Sequence, residues 1–566
     1  MRTRSSFSLS EPFRARDVFH HDDGSARVPG TPGVGASARA AAARSSVLVA
    51  MSGGAGRSDP RCVAHDMSDD PGDADVDDAG FLADAPGLVR AILERCETSW
   101  RAEGGLRGGS VYVGACGAAM LYYKLATIQR EVQGGASAED ANLAMFGRAS
   151  AAMLRDAMAW ARRGAAEFAS RAAAPRRDPA ARRPVSTFLE GEAGCLALTA
   201  AIAHALGDRA EVRRAVAALL AMRVDVEAAP GEECELMYGR AGYLHALLFA
   251  RTRCRSNENE DEPALVPPEA FRGIVAQIVA EGVAGARRVV DESSTPTPTP
   301  TPSSSSTSTL TSSLTSRERE RRRAETAPKP SAIRTPGLSH AWRGKRYLGC
   351  AHGEAGILLT LVQCERELGW DGRDGCWDGC SGGEDAETRA GGETFPRSPS
   401  SLARDAVSAL CASLFDDGNL PSSLSSSSGN KLVQWCHGAP GLLPLLALCV
   451  AHEGPSAPPA RTLAAALRSA AEATWRRGLL RRKGPGLCHG AAGCGYALLS
   501  AYAATGDRRY LARARRFARW TATFADRLAT TFADAPGSLF EGLAGAACFV
   551  ADAVDPKNAW FPGCEV

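Results

Sequence analysis

The pattern Gly-x-x-Gly followed at once by an apolar run occurs seven times, and no other feature limits the possible folds as much. The pairs are Gly114-Gly117, Gly191-Gly194, Gly239-Gly242, Gly353-Gly356, Gly438-Gly441, Gly490-Gly493 and Gly542-Gly545. The runs that follow, at 118–125, 195–206, 243–250, 357–362, 442–450, 496–502 and 546–550, are mostly of helix-forming residues. Chance yields some pairs among 58 glycines, and Gly30-Gly33 and Gly379-Gly382 lead into no apolar run. Chance does not account for seven copies with the run on the same side, so the chain is an array of repeats.

The steps from Gly438 to Gly490 and from Gly490 to Gly542 are 52 residues each, room for two helices and their turns. Amphipathic stretches such as 463–475 and 508–524 precede several copies. A helix apolar nearly all round belongs inside and an amphipathic one outside. Seven alternations of the two give an inner ring of helices within an outer ring, an all-α α/α toroid of seven helical hairpins. The glycines let the chain turn tightly into each inner helix and let backbones approach closely. Pro444 is expected in the first turn of its helix, where its missing N–H costs nothing. Inner helices that all begin at these pairs gather their N-termini at one end, where free N–H groups and helix dipoles favour anions and thiolates.

Three polar stretches interrupt the repeats. Residues 1 to 80 read as a disordered tail, about 253–336 as a low-complexity insertion, and about 371–400 as a second, loop-like one. Within 253–336 only Phe271, Ile274, Val275 and Ile278 fall at helical spacing. The formal net charge of +2 gives no electrostatic case for nucleic acid, and no run of eighteen apolar residues suggests a membrane span. Seventeen cysteines without framework spacing, and no signal-peptide pattern at the start, favour a reducing compartment, the cytoplasm. Arg2, Arg4 and the early serines, with no acid until Glu11, are a weak organelle-targeting hint.

Two of the repeats carry Cys-His directly before the glycine: Cys436-His437-Gly438 and Cys488-His489-Gly490. Cys436, Cys488 and His489 supply two sulfurs and a nitrogen, the ligand set of a catalytic zinc with its fourth position open. Cys350, Cys494 and Cys548 also lie near glycine pairs, and spacing alone does not separate ligands from core cysteines. Zinc favours the thiolate form of a bound thiol, so such a site suits thiol activation near neutral pH.

The sequence resembles the eukaryotic LanC-like proteins, relatives of the bacterial lanthionine cyclases. The resemblance rests on Trp435-Cys436-His437-Gly438-Ala439-Pro440-Gly441, Gly486-Leu487-Cys488-His489-Gly490, Leu236-Met237-Tyr238-Gly239-Arg240-Ala241-Gly242-Tyr243, Ala351-His352-Gly353-Glu354-Ala355-Gly356-Ile357 and Ser538-Leu539-Phe540-Glu541-Gly542-Leu543-Ala544-Gly545, with the ending Phe561-Pro562-Gly563. It covers about residues 80–566, less the two insertions. It implies an α/α toroid with one zinc on Cys436, Cys488 and His489, in a cytosolic protein that adds the glutathione thiol to dehydroalanine or dehydrobutyrine residues of proteins or peptides. It implies proton transfer by His352, it places Glu235 where the bacterial cyclases have an acidic residue and so makes it a catalytic candidate, and it leaves His437 facing the cleft as a candidate for substrate handling. Lys483 and Asp534 match glutathione-contacting positions. Thr531 and Ala533 depart from the family segment, which starts with arginine and has proline before the aspartate. Two other roles stand beside the enzyme: a glutathione-binding regulatory scaffold, for example for a kinase or at a membrane surface, and a peptide cyclase of the lanthionine type.

Overall fold

The computed structural model describes residues 62, 71–102, 105–132, 145–173, 185–229, 233–255, 264–294, 337–369, 386–388, 394–396, 399–425, 429–453, 458–480 and 482–566. Of the expected tail over residues 1–80, residues 1–61 and 63–70 lie outside the described residues, as do most of both insertions, whereas 71–80 are helical and not disordered. The seven inner helices are α2 (Ala115–Val132), α4 (Glu192–Leu206), α7 (Arg240–Arg253), α9 (Glu354–Leu368), α11 (Ala439–Glu453), α13 (Ala491–Thr505) and α15 (Leu543–Asp552). Each begins directly after the first glycine of a pair. Six outer helices follow them in the chain: α3 (Ser150–Ala173), α5 (Arg209–Ala221) with the short α6 (Arg223–Ala228), α8 (Glu269–Ser294), α10 (Pro399–Ala412), α12 (Pro458–Arg477) and α14 (Arg508–Phe532). The seventh outer helix is α1 (Pro71–Arg101), first in the chain, which packs on α14 and α15.

Consecutive inner helices pack side by side, and α15 packs against α2, so the ring closes on itself as an α/α toroid. Burial follows the layers. From Glu192 to Ala203 nearly every residue of α4 is buried, whereas α5 buries only Val212, Ala215, Val216 and Leu219. The apolar patch inside the expected first insertion is α8, with Phe271, Ile274, Val275 and Ile278 all buried, and it is the outer partner of α7. The second insertion holds a two-stranded antiparallel ribbon, β1 (Ala386–Thr388) paired with β2 (Thr394–Pro396). Pro444 is the sixth residue of α11, one turn deeper than the sequence suggests, so the helix forgoes one internal hydrogen bond there.

The glycines act through close approach. In all seven copies a Cβ on the second glycine would press against the carbonyl oxygen six residues earlier, such as Phe188 for Gly194 and Leu487 for Gly493. The loop folds back over the helix start, and this changes the expected electrostatics. Helix-start N–H groups donate to carbonyls seven residues earlier: Ala115 to Gly108, Arg240 to Glu233, Glu354 to Tyr347, Ala492 to Pro485 and Leu543 to Pro536. At these five helix starts a donor expected to be open is therefore used by the chain itself, which weakens the case for anion binding there.

The same loops bond to one another around the ring. Cys436 N–H donates to the Cys488 carbonyl, Cys488 to Phe540, Phe540 to Tyr112 and Tyr112 to Leu189. Each of these residues stands two places before its glycine. Beneath the loops, the C-terminal segment crosses the interior. Phe561 packs on Trp435 and Tyr496, the Trp560 carbonyl accepts from Lys124, and the Cys564 carbonyl accepts from Gln363.

Candidate metal and thiol site

The residue immediately before each first glycine faces the rim formed by the loops. In ring order these are Val113, Glu190, Tyr238, His352, His437, His489 and Glu541. One structural position thus carries three histidines, a tyrosine and two glutamates, because the fold repeats the same loop seven times.

Cys436, Cys488 and His489 meet at this rim, with one ligand atom from each lying within 4.8 Å of the others, and both cysteines are buried. Two sulfurs about 2.3 Å and a nitrogen about 2.0 Å from a common centre fit that spacing. Burial pushes the Cys488 thiol well above its ordinary pKa, and the neighbouring Cys436 adds to this. Two facing buried thiols with an imidazole beside them are a donor set that a cation completes. Gln434 Nε2 donates to Cys436 Sγ at 3.2 Å, and the Tyr112 phenol hydrogen-bonds with Cys488. The other thirteen described cysteines form no further such cluster among the described residues: Cys350, Cys494 and Cys548 are buried core thiols.

On the α9 side of this triad stand His352 and His437. His352 Nδ1 lies 3.2 Å from Glu235 Oε2. Glu235 is itself fixed, since its two oxygens accept the N–H groups of Met237 at 2.6 Å and Tyr238 at 2.7 Å. His437 is buried near Tyr347, with ring centroids 5.4 Å apart, and its pKa is pushed down to about 3 by burial and by the charges of His352, Lys345 and His489. A neutral imidazole at that position donates or accepts a hydrogen bond and does not serve as a cation near neutral pH.

Lys483 and Asp534 lie on the opposite side. Burial raises the pKa of the Glu541 carboxyl, which also feels His489, Asp534 and Lys483 and accepts from the Ala535 N–H. Lys483 is half-buried and Asp534 exposed; Thr531, at the end of α14, is exposed and Ala533 half-buried. Beyond Val113, Glu190 is pushed up to about 7 by burial, against a hydrogen bond from Ser110.

Sequence reasoning missed Glu190, Tyr238 and Glu541, although the place before each glycine would have found them. It had no signal for Trp342, whose indole stacks on the His352 imidazole at 3.9 Å and 6°. Trp342 follows a long polar stretch and belongs to no repeat.

A closed double ring of helices with a Cys, Cys, His donor set at the glycine-loop rim defines this molecule as an α/α-toroid protein with a cluster of thiols and an imidazole of the kind that can hold a metal ion. The chain belongs to the lanthionine synthetase C-like protein family, whose sequence model matches residues 105–374 and 400–566. It is 29% identical over 381 residues to "Glutathione S-transferase LANCL1" of Danio rerio, covering 67% of this chain and 74% of that one. It is 28% identical over 393 residues to "LanC-like protein GCL1" of Arabidopsis thaliana, covering 67% and 70%. Among solved structures it matches "Nisin cyclase" with a TM-score of 0.45 and 12% identity, over 82% of this chain and 93% of that one.

Proposed function

We propose that the protein adds the thiol of glutathione to dehydroalanine or dehydrobutyrine residues of proteins, with one zinc ion held by Cys436, Cys488 and His489. The observation that carries this is the convergence of those three donor atoms within 4.8 Å beside the Glu235–His352 pair. The printed name of the zebrafish relative, a glutathione S-transferase, supports the choice of thiol. A zinc ion held this way lowers the pKa of a thiol that binds it, so the thiol reacts as thiolate near neutral pH.

The chain's own residues supply the rest. The glutathione sulfur forms a C–S bond to the β-carbon, the alkene pair moves toward the carbonyl as an enolate, and the α-carbon then takes a proton. His352 stands in place to deliver that proton from Nε2, while Glu235 holds Nδ1 and stabilises the charged ring. The net change is addition of S–H across C=C, with nothing oxidised or reduced. Lys483 and Asp534 flank the thiol side, where a lysine suits a glutathione carboxylate.

The test incubates purified protein with glutathione and a dehydroalanine peptide and follows the adduct by mass spectrometry. Acceleration over the uncatalysed reaction is expected, as is its loss together with zinc in Cys436→Ala. Zinc-loaded protein that binds glutathione without accelerating the addition would leave a binding role only, and full activity in a zinc-free Cys436→Ala protein would sink the mechanism. Fifteen described cysteines with no disulfide among them support a place in the cytoplasm; fractionation of the tagged protein into an oxidising compartment would refute that.

A further inference from the structure

Two restraints fix an imidazole: one on its rotation in the plane and one on the plane itself. For His352 the first is the hydrogen bond to Glu235, 3.2 Å from Nδ1. A hydrogen bond at one ring nitrogen does not by itself set the tilt of the ring. The second restraint is Trp342, whose indole lies parallel to the imidazole with centroids 3.9 Å apart and planes 6° from coincident.

Trp342 is held by a bracket built for that position. Trp342 and Lys345 exchange backbone hydrogen bonds at 2.9 and 3.0 Å across a two-residue turn, in which Arg343 and Gly344 both have positive φ, 48° and 74°. Two residues upstream, buried His340 clamps the segment to α9. Its N–H donates to Glu354 Oε2 at 2.9 Å, its Nδ1 faces Glu354 Oε1 at 3.1 Å, and its Nε2 meets the Ile278 carbonyl at 2.9 Å. Downstream, Leu424 N–H donates to the Arg346 carbonyl and Leu348 N–H to Ser422. Glu354 opens α9 two residues after His352, so one helix start carries both the imidazole and the anchor of the turn stacked upon it. The left-handed backbone of Arg343, uncommon for a residue with a side chain, marks the turn as imposed by its surroundings.

We infer that Trp342 is a positioning residue for proton transfer: its indole face fixes the plane of His352, so that the α-carbon of the acceptor is protonated on one face. The inference rests on the proposed addition reaction. Addition of glutathione to dehydroalanine creates a stereocentre at the α-carbon, and its configuration records which face received the proton. A tilting imidazole, or water in the space left by the indole, protonates both faces.

The experiment measures the diastereomer ratio of the glutathione adduct of a dehydroalanine peptide by chiral chromatography, with zinc content, kcat and KM for glutathione. Wild-type protein is expected to give one diastereomer. Trp342→Ala is expected to lower kcat roughly tenfold and erode the ratio, with zinc content and KM for glutathione unchanged. Trp342→Phe, which keeps a flat face, is expected to restore most of the ratio, and Trp342→Ala added to His352→Asn is expected to cost no more than His352→Asn alone. A single diastereomer at wild-type rate in Trp342→Ala, or a mixture from wild type, overturns the inference and leaves the proposed reaction standing. Absence of any adduct from zinc-loaded wild-type protein overturns both. A Trp342→Ala protein that fails to fold moves the decision to Trp342→Phe, whose ratio falling to that of His352→Asn would refute the role of the flat face.

Discussion

His352 and Glu235 are 117 positions apart in the chain and 3.2 Å apart in space, and the separation of their duties makes them testable one at a time. His352→Asn removes the proposed proton donor while Cys436, Cys488 and His489 stay in place, so adduct formation is expected to fall roughly a hundredfold with zinc content unchanged, read by metal analysis beside the mass-spectrometric assay. Glu235→Gln does more damage to the loop, because an amide offers one acceptor where the carboxylate now meets the Met237 and Tyr238 N–H groups and the His352 ring. Glu190 gives a pH signature. Burial raises its carboxyl from 4.5 to about 7, so the folded protein holds that proton more tightly than the unfolded chain does. Its contribution to stability is complete below pH 4.5 and is lost as pH rises through about 7. The non-titrating Glu190→Gln is therefore expected to gain on wild type in thermal unfolding from pH 4.5 to 7, with a level difference above; a gap that widens in the opposite direction would show that another group sets the trend. At this scale the converging Cys436, Cys488 and His489 donors were legible, because Cys-His before Gly occurs twice in matching context, and so was the place of His352 before its own glycine pair. Trp342 was not, because an aromatic stack across the fold leaves no spacing in the chain.

Among the elements, the glycine loops show what a repeat in sequence can and cannot convey. Seven inner helices starting at seven glycine pairs were legible from the pattern, and the packing reason for the glycines is the one the pattern implies. The loop's return, with carbonyls capping N–H groups seven residues later, was not, since backbone hydrogen bonding leaves no side-chain mark. Helix α8 was half legible: four apolar residues at helical spacing declared a helix, but the polar chain around them concealed that it is a full member of the outer ring. Two glycine substitutions separate close approach from backbone conformation. A Cβ at Gly493, the third residue of α13, would strike the Leu487 carbonyl, and backbone cannot yield as a side-chain tip can. Gly207, after α4, has open space around it and a φ of 79°. Gly207→Ala is expected to cost roughly 1 kcal/mol, the penalty of a left-handed alanine, and Gly493→Ala about 3 kcal/mol or more, as a buried clash. Denaturant unfolding of the two variants ranks them, and equal costs would remove the close-approach account.

For the whole molecule the issue is closure, because a ring of hairpins is only as stable as the joint between its first and last members. That joint has two parts. On the outside, α1 from the start of the chain covers α15 from its end. On the inside, Lys124 of α2 pairs with Asp552 of α15 at 2.5 Å, both fully buried, while Tyr496 of α13 donates to the same Asp552 oxygen at 2.6 Å. Lys124 also donates to the Trp560 carbonyl at 2.8 Å and lies 3.6 Å over that indole, tying the C-terminal segment to the joint. Burial pulls the Lys124 ammonium below its ordinary pKa and pushes the Asp552 carboxyl above its own, while each charge opposes the shift of the other. Desolvation of this kind means that the pair contributes little net stability, yet either half alone is an uncompensated buried charge. Lys124→Ala is therefore expected to destabilise the protein by about 3–5 kcal/mol, whereas Lys124→Met with Asp552→Asn recovers most of that loss. The double variant is expected to keep the zinc content of wild type, since the triad stands in the loops before α11 and α13, at the other end of the inner helices. Calorimetry and metal analysis of the single and double variants decide the matter: a double variant as unstable as Lys124→Ala would mean that the charges themselves, and not their mutual compensation, hold the ring closed.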